Sequence, residues 1–169
     1  MDARAHYATL ARYDGWATRR LFETVDALSE ADYRRDVGLY FKSVHGTLNH
    51  LLLTGVLLWY ERFAHGGGPA LRLDAEVEPD RAALRTRLAE AGPRWEALIQ
   101  TWPEARYAGR LDYLATSGDA RSMPFDLTLT HVFNHATHHR GQITAALTAL
   151  GQPCPELDLP WMLFAEAKA

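Results

Sequence analysis

The chain has one cysteine, basic residues that are nearly all arginine, no long apolar run and no excess of positive charge, and each shortage narrows what it can be. A single thiol, Cys154, excludes an internal disulfide and agrees with a reducing cytoplasm. It lies between Pro153 and Pro155 and reads as a packed or idle thiol, since a redox role needs an activated thiolate. The longest apolar run, Leu51 to Tyr60, is too short to cross a bilayer and is broken by Thr54 and Gly55. Residues Met1 to Leu10 carry mixed charges without the apolar core of a signal peptide. The expectation is a soluble, cytoplasmic protein with no membrane partner. Net charge is −3 with histidines neutral, and the arginines are scattered singly or in pairs such as Arg19-Arg20 and Arg34-Arg35. Such a surface offers no basic field to nucleic acid. No repeat, low-complexity stretch or linker divides the sequence, so residues 1–169 read as one domain. A chain of that length buries about two-thirds of its unfolded surface.

Histidine is what the chain has in quantity: eight in all, four of them between His131 and His139. If this stretch is helical, His131, His135 and His139 share one stripe, because residues four apart lie on the same face. Two imidazoles four apart can hold one metal ion, which is why H-x-x-x-H recurs in metal sites. Ala136 follows His135, so the glutamate of the zinc-protease motif H-E-x-x-H is absent. Val132, Phe133, Ile143 and Leu147 flank the histidines, and burying several imidazoles together is costly unless a cation offsets it. His138 stands three residues from His135 and rivals His139 for the same side of the helix.

The remaining pattern is helical. Tyr7, Leu10, Tyr13, Ala17, Leu21, Val25 and Leu28 predict an amphipathic helix from about Asp2 to Leu28, with Trp16 in the core. Ser29 looks like the cap of a short restart. Ser43 caps a second helix running to about Phe63, with Val44, Leu48, Leu51, Leu52, Val56, Trp59 and Phe63 inward. His50 lies on that apolar face and is the natural third ligand, because metal sites in bundles are made from facing side chains. His45, five residues earlier, points to another sector. His65-Gly66-Gly67-Gly68-Pro69 ends the helix in a loop. Asp80 caps a third helix to about Trp102, interrupted at Gly92-Pro93. Residues around Ser117-Gly118-Asp119 suggest a short hairpin or extended segment. Asp126 or Thr128 then caps the histidine helix, which Gly151 closes, and the apolar tail from Pro155 docks on the bundle.

Three segments carry a family likeness: Tyr13-Asp14-Gly15-Trp16-Ala17, Ser43-Val44-His45-Gly46-Thr47-Leu48-Asn49-His50, and His131 through Ile143. Through them the chain resembles, over almost its full length, the DinB-like family of metal-binding four-helix proteins. The resemblance implies an all-α, up-up-down-down four-helix bundle, commonly a homodimer. It also implies that His50, His135 and His139 bind one divalent ion, with His131 and His138 outside. Family members often have Asn after the first-helix Trp-Ala pair, where this chain has Thr18.

Three neutral imidazoles on Zn2+ or Ni2+ leave coordination positions open, which favours catalysis over a closed structural site. The resemblance implies a thiol-dependent S-transferase that joins a low-molecular-weight thiol to a small electrophilic substrate. A metal-dependent hydrolase with metal-activated water ranks second, and a non-catalytic metal-binding bundle is the non-enzyme alternative. The residues name no general base, and nothing in sequence places Asp14 near the ion. Arg140 reads as a surface ion pair, with orientation of an anionic thiol or substrate as the other possibility.

Overall fold

The computed structural model describes residues 2–168. Helix α1 (Ala3–Val25) starts at Asp2, whose side chain accepts from the Ala5 amide, and Ser29 caps the short α2 (Glu30–Arg34). Ser43 caps α3 (Val44–Leu52), which continues through a π-helical stretch (Leu53–Tyr60) into α4 (Glu61–His65) and stops at Gly66 in the left-handed region. Asp80 caps α5 (Arg81–Ala89), and α6 (Ala91–Gln100) follows after a break at Glu90. The break precedes Gly92-Pro93, where proline takes the early helical positions it tolerates. A 3-10 turn (Glu104–Arg106) leads to β1 (Arg110–Leu114) and β2 (Ala120–Pro124), an antiparallel hairpin pairing Leu111 with Met123 and Tyr113 with Arg121. Then come α7 (Phe125–Ala149) and α8 (Leu159–Glu166).

Four long rods form the bundle: α1, α3 through α4, α5 with α6, and α7. The Tyr7 hydroxyl donates to the Asp126 carbonyl and Asp14 pairs with Arg140, so α1 and α7 run parallel. Phe63 meets Phe125 while His50 meets His139, so the α3–α4 rod runs against α7. Arg81 donates to the Leu28 carbonyl while Gly92 abuts Gly15, so α5–α6 runs against α1. Around the ring from α7, through α1 and α5–α6 to α3, the order is up, up, down, down. In chain order the same arrangement reads up, down, down, up. Two neighbouring rods are therefore parallel, and residues 66–80 must carry the chain back along the bundle, a long crossover of the kind parallel neighbours require.

The core divides into two large clusters, with a small third one of Tyr13, Ala17 and Met162. One packs Leu21, Phe22, Val25, Val44, Leu48, Leu84, Ile143 and Leu147; the other is aromatic, with Phe63, Trp95, Tyr107, Phe125 and Phe133. Helices α1 and α6 pack closely at Gly92, where an added Cβ would lie 2.8 Å from the Gly15 Cα. Trp95 Nε1 donates to the Gly55 carbonyl at 3.1 Å, inside the π-helical stretch, whose wider turns alter the ordinary helical hydrogen-bond pattern.

Two expectations need correction, and a third, that the tail docks on the bundle, holds through Leu157 and Met162. No side chain caps α7: Pro124 occupies the cap position, the Asp126 carboxylate takes the Leu127 amide, and the Thr128 hydroxyl donates back to the Pro124 carbonyl. The hairpin delivers the chain straight into the helix, leaving the cap position to proline. Trp16 is only half-buried, resting with Tyr13 and Ala17 on the C-terminal segment around Met162. Of the tail, only Met162 is buried in α8, whereas Trp161, Leu163 and Phe164 stay exposed.

Candidate metal centre

At the waist between the two clusters, α3 presents His50 and α7 presents His135 and His139. The Nε2 atom of His135 lies 3.2 Å from that of His50 and 3.1 Å from that of His139. One nitrogen of each ring lies within 4.8 Å of the others. His50 and His139 are buried, and His135 is half-buried.

The outer nitrogens decide what the inner ones can do. His50 Nδ1 lies 2.8 Å from the Leu73 carbonyl, an acceptor only, so Nδ1 carries the proton and Nε2 is left as a bare lone pair. His139 Nδ1 donates to Gln142 Oε1 at 2.8 Å, and Gln142 in turn donates through Nε2 to His138. That again leaves Nε2 of His139 unprotonated. Lone pairs brought this close repel, and the one proton available on His135 Nε2 can serve only one neighbour at a time. A cation among the three nitrogens satisfies all of them, so the donor set fits a divalent ion.

Protonation is suppressed throughout. Burial, with the other histidines around it, lowers His135 to about 3, and burial lowers His50 to about 4 although its bond to Leu73 opposes the shift. Burial also lowers His139 and His131. The rings are thus neutral at pH 7, the form that ligates.

The surrounding residues hold this geometry. The loop bearing Leu73 is strapped to α3 by Asn49: Oδ1 accepts from the Val77 and Glu78 amides at 2.8 Å each, and Nδ2 donates to the Glu78 carbonyl at 3.1 Å. Phe41 stacks on His50, with ring centroids 3.8 Å apart and planes 20° apart, and tilts toward His139 at 5.6 Å. Its carbonyl lies where a Cβ on Gly46 would be, at 2.2 Å, so only glycine lets this segment sit down on α3.

The structure thus brings together His50, His135 and His139 and keeps the other histidines apart. His131 continues the stripe with its ring 5.4 Å from that of His135, while His138 is exposed against Gln142. His45 pairs with Glu76 and His65 with Glu61. Arg140 departs from the expected surface ion pair: it is buried and holds Asp14 and the Thr137 hydroxyl. With His135, Thr54 and Trp59, Arg140 and Asp14 line a cavity of about 30 Å³. Asp14 is therefore close to the site, tied up in an ion pair.

Sequence reasoning missed Phe41, Leu73, Asn49 and Gln142. Gln142 was within reach, being three residues after His139 on the same helix. Leu73 contributes a backbone carbonyl, which no side-chain pattern reveals.

The DinB family model matches residues 1–169. Protein DinB of Bacillus subtilis (strain 168) is 28% identical over 164 residues, spanning 92% of each chain. Among solved structures, YfiT from Bacillus subtilis, described as a probable metal-dependent hydrolase with an unusual four-helix bundle topology, superposes with a TM-score of 0.67 at 16% identity. That match covers 88% of this chain and 87% of the other. A DinB-like protein from Bacillus cereus ATCC 10987 gives 0.62 at 18% identity, over 83% and 90% of the two chains. At those identities the structural likeness speaks for the fold.

Proposed function

This chain belongs to the DinB family, and from that premise we propose that it is a metal-dependent enzyme in which His50, His135 and His139 hold one divalent ion, Zn2+ or Ni2+. The observation that carries the reading is the inward turn of unprotonated nitrogens, set by the Leu73 carbonyl and the Gln142 amide. The reaction we infer is transfer of a low-molecular-weight thiol to a small electrophilic substrate. Bound at the triad, a divalent ion supplies a Lewis acid that lowers the pKa of a thiol or water in an open coordination position.

The protein's own part is to hold and shield. Leu73 and Gln142 fix the tautomers, Phe41 covers the His50 ring, and half-buried His135 leaves one side for approach. Among the described residues no carboxylate joins the three histidines in the cluster that could hold a metal, and Asp14 is engaged by Arg140. A chemistry whose nucleophile needs no protein base suits that arrangement, which favours a thiol over water.

The description of YfiT favours hydrolysis as the second reading. Titrating Co2+-loaded protein with low-molecular-weight thiols separates the two. The expected result is a sulfur-to-cobalt charge-transfer band that saturates with thiol. No band, together with metal-dependent hydrolysis of esters or amides, would transfer the conclusion to the hydrolase.

A further inference from the structure

Only two arginines are buried among the described residues, and they are treated differently. Arg140 has Asp14. Arg62, on α4, is 5% exposed and has no carboxylate and no hydrogen-bond acceptor among the described residues, and its Nε is fully enclosed without a partner. Its guanidinium lies 4.6 Å from the centre of the Trp59 ring and 4.5 Å from that of Tyr113. Ring faces attract the charge, yet they give nothing for a fork of five N–H donors to bond. Trp59 and Tyr113 meet edge to face at 5.3 Å, and a planar cation set in the corner they form with its donors unused is matched in shape and charge to an oxyanion.

The position connects it to the metal centre. The Trp59 ring meets His131 edge-on at 5.5 Å, and His131 lies 5.4 Å from His135, the ligand with the most exposure. Trp59 and Tyr113 are half-buried and His131 is exposed, so an aromatic track leads over the surface from Arg62 to the triad. With a net charge of −3, the chain as a whole does not attract anions, and a local anchor is needed to hold one.

We propose that Arg62 binds a carboxylate or phosphate group of the molecule whose other end reaches the metal centre, making the substrate or cosubstrate an extended anion laid along Trp59 and His131. This rests on the metal-dependent thiol reading above and adds the class of molecule that the site accepts.

The test uses the full-length protein, its Arg62→Gln and Arg62→Lys variants, and two probes. Inorganic phosphate is titrated into metal-free protein by calorimetry. Glutathione, an extended anionic thiol, is compared with uncharged 2-mercaptoethanol through the charge-transfer band of the Co2+-loaded form. The expected result is phosphate binding that Arg62→Gln weakens about tenfold, a similar fall in the preference for glutathione over 2-mercaptoethanol, and partial recovery in Arg62→Lys. Phosphate binding and thiol preference equal in wild type and Arg62→Gln would overturn the anchor, as would loss of the 2-mercaptoethanol band in that variant, which marks a structural role. Absence of a thiol band in wild type, with phosphate binding still dependent on Arg62, rejects the thiol reading and keeps the anchor.

Discussion

His135 sits between two other imidazoles and touches both, whereas His65 lies exposed beside Glu61. Replacing His135 with alanine removes the shared donor, so metal content measured on purified protein should drop to near zero, while His65→Ala should retain about one ion per chain. Equal content in the two variants would reject the assignment. The same burial predicts how the metal-free protein responds to acid. Folded His135 and His50 titrate near 3 and 4, against 6.5 for a free imidazole. Between these values the unfolded chain takes up protons that the folded chain refuses, so stability is full above about pH 6.5 and declines as pH falls toward 4. The urea midpoint of the metal-free protein should therefore be lower at pH 5 than at pH 7.5. A midpoint indifferent to pH would mean that the rings are not held neutral. The three clustered histidines were legible, because H-x-x-x-H and a histidine on a neighbouring apolar stripe are side-chain patterns. Their tautomers were not, since Leu73 acts through its backbone from 23 residues away.

Helices announced themselves where a side chain does the capping. Ser43 and Asp80 each close a first turn onto an amide three residues on, and both starts followed from the sequence. The start of α7 was misplaced because its boundary is set by the hairpin and Pro124 instead. The segment before α3 was equally silent: Lys42 adopts a positive φ of 68°, and Phe41 lands on His50 through a fit that depends on an absent Cβ. Gly46→Ala brings the two effects into conflict. Alanine favours a helix by about 1 kcal/mol over glycine, yet its methyl would collide with the Phe41 backbone, and overpacking of this kind costs about 1–3 kcal/mol. The clash should win. The thermal midpoint is expected to fall by a few degrees, and metal affinity should fall with it as Phe41 leaves the His50 ring. A variant more stable than wild type with unchanged affinity would show that the segment does not press on the site.

At the scale of the molecule, the ring of four rods was readable from periodicity and family likeness, while its surface was not. Trp161, Leu163 and Phe164 on α8 stay exposed, at 48%, 44% and 56%, and leave an apolar face open to solvent. We expect this face to pair two copies, so light scattering at micromolar concentration should give twice the 19.0 kDa chain mass, and Trp161→Ser with Phe164→Ser should halve it. A single-chain mass for wild type would exclude the dimer. The π-helical stretch between the triad and Arg62 has a further consequence. Its i→i+5 turns are wider than those of an α-helix and rotate less per residue. Wound as ordinary α-helix with the same residues, the stretch would carry Arg62 to a different azimuth about the rod while His50 kept its place. The wide turns thus clock the two ends of the site against each other.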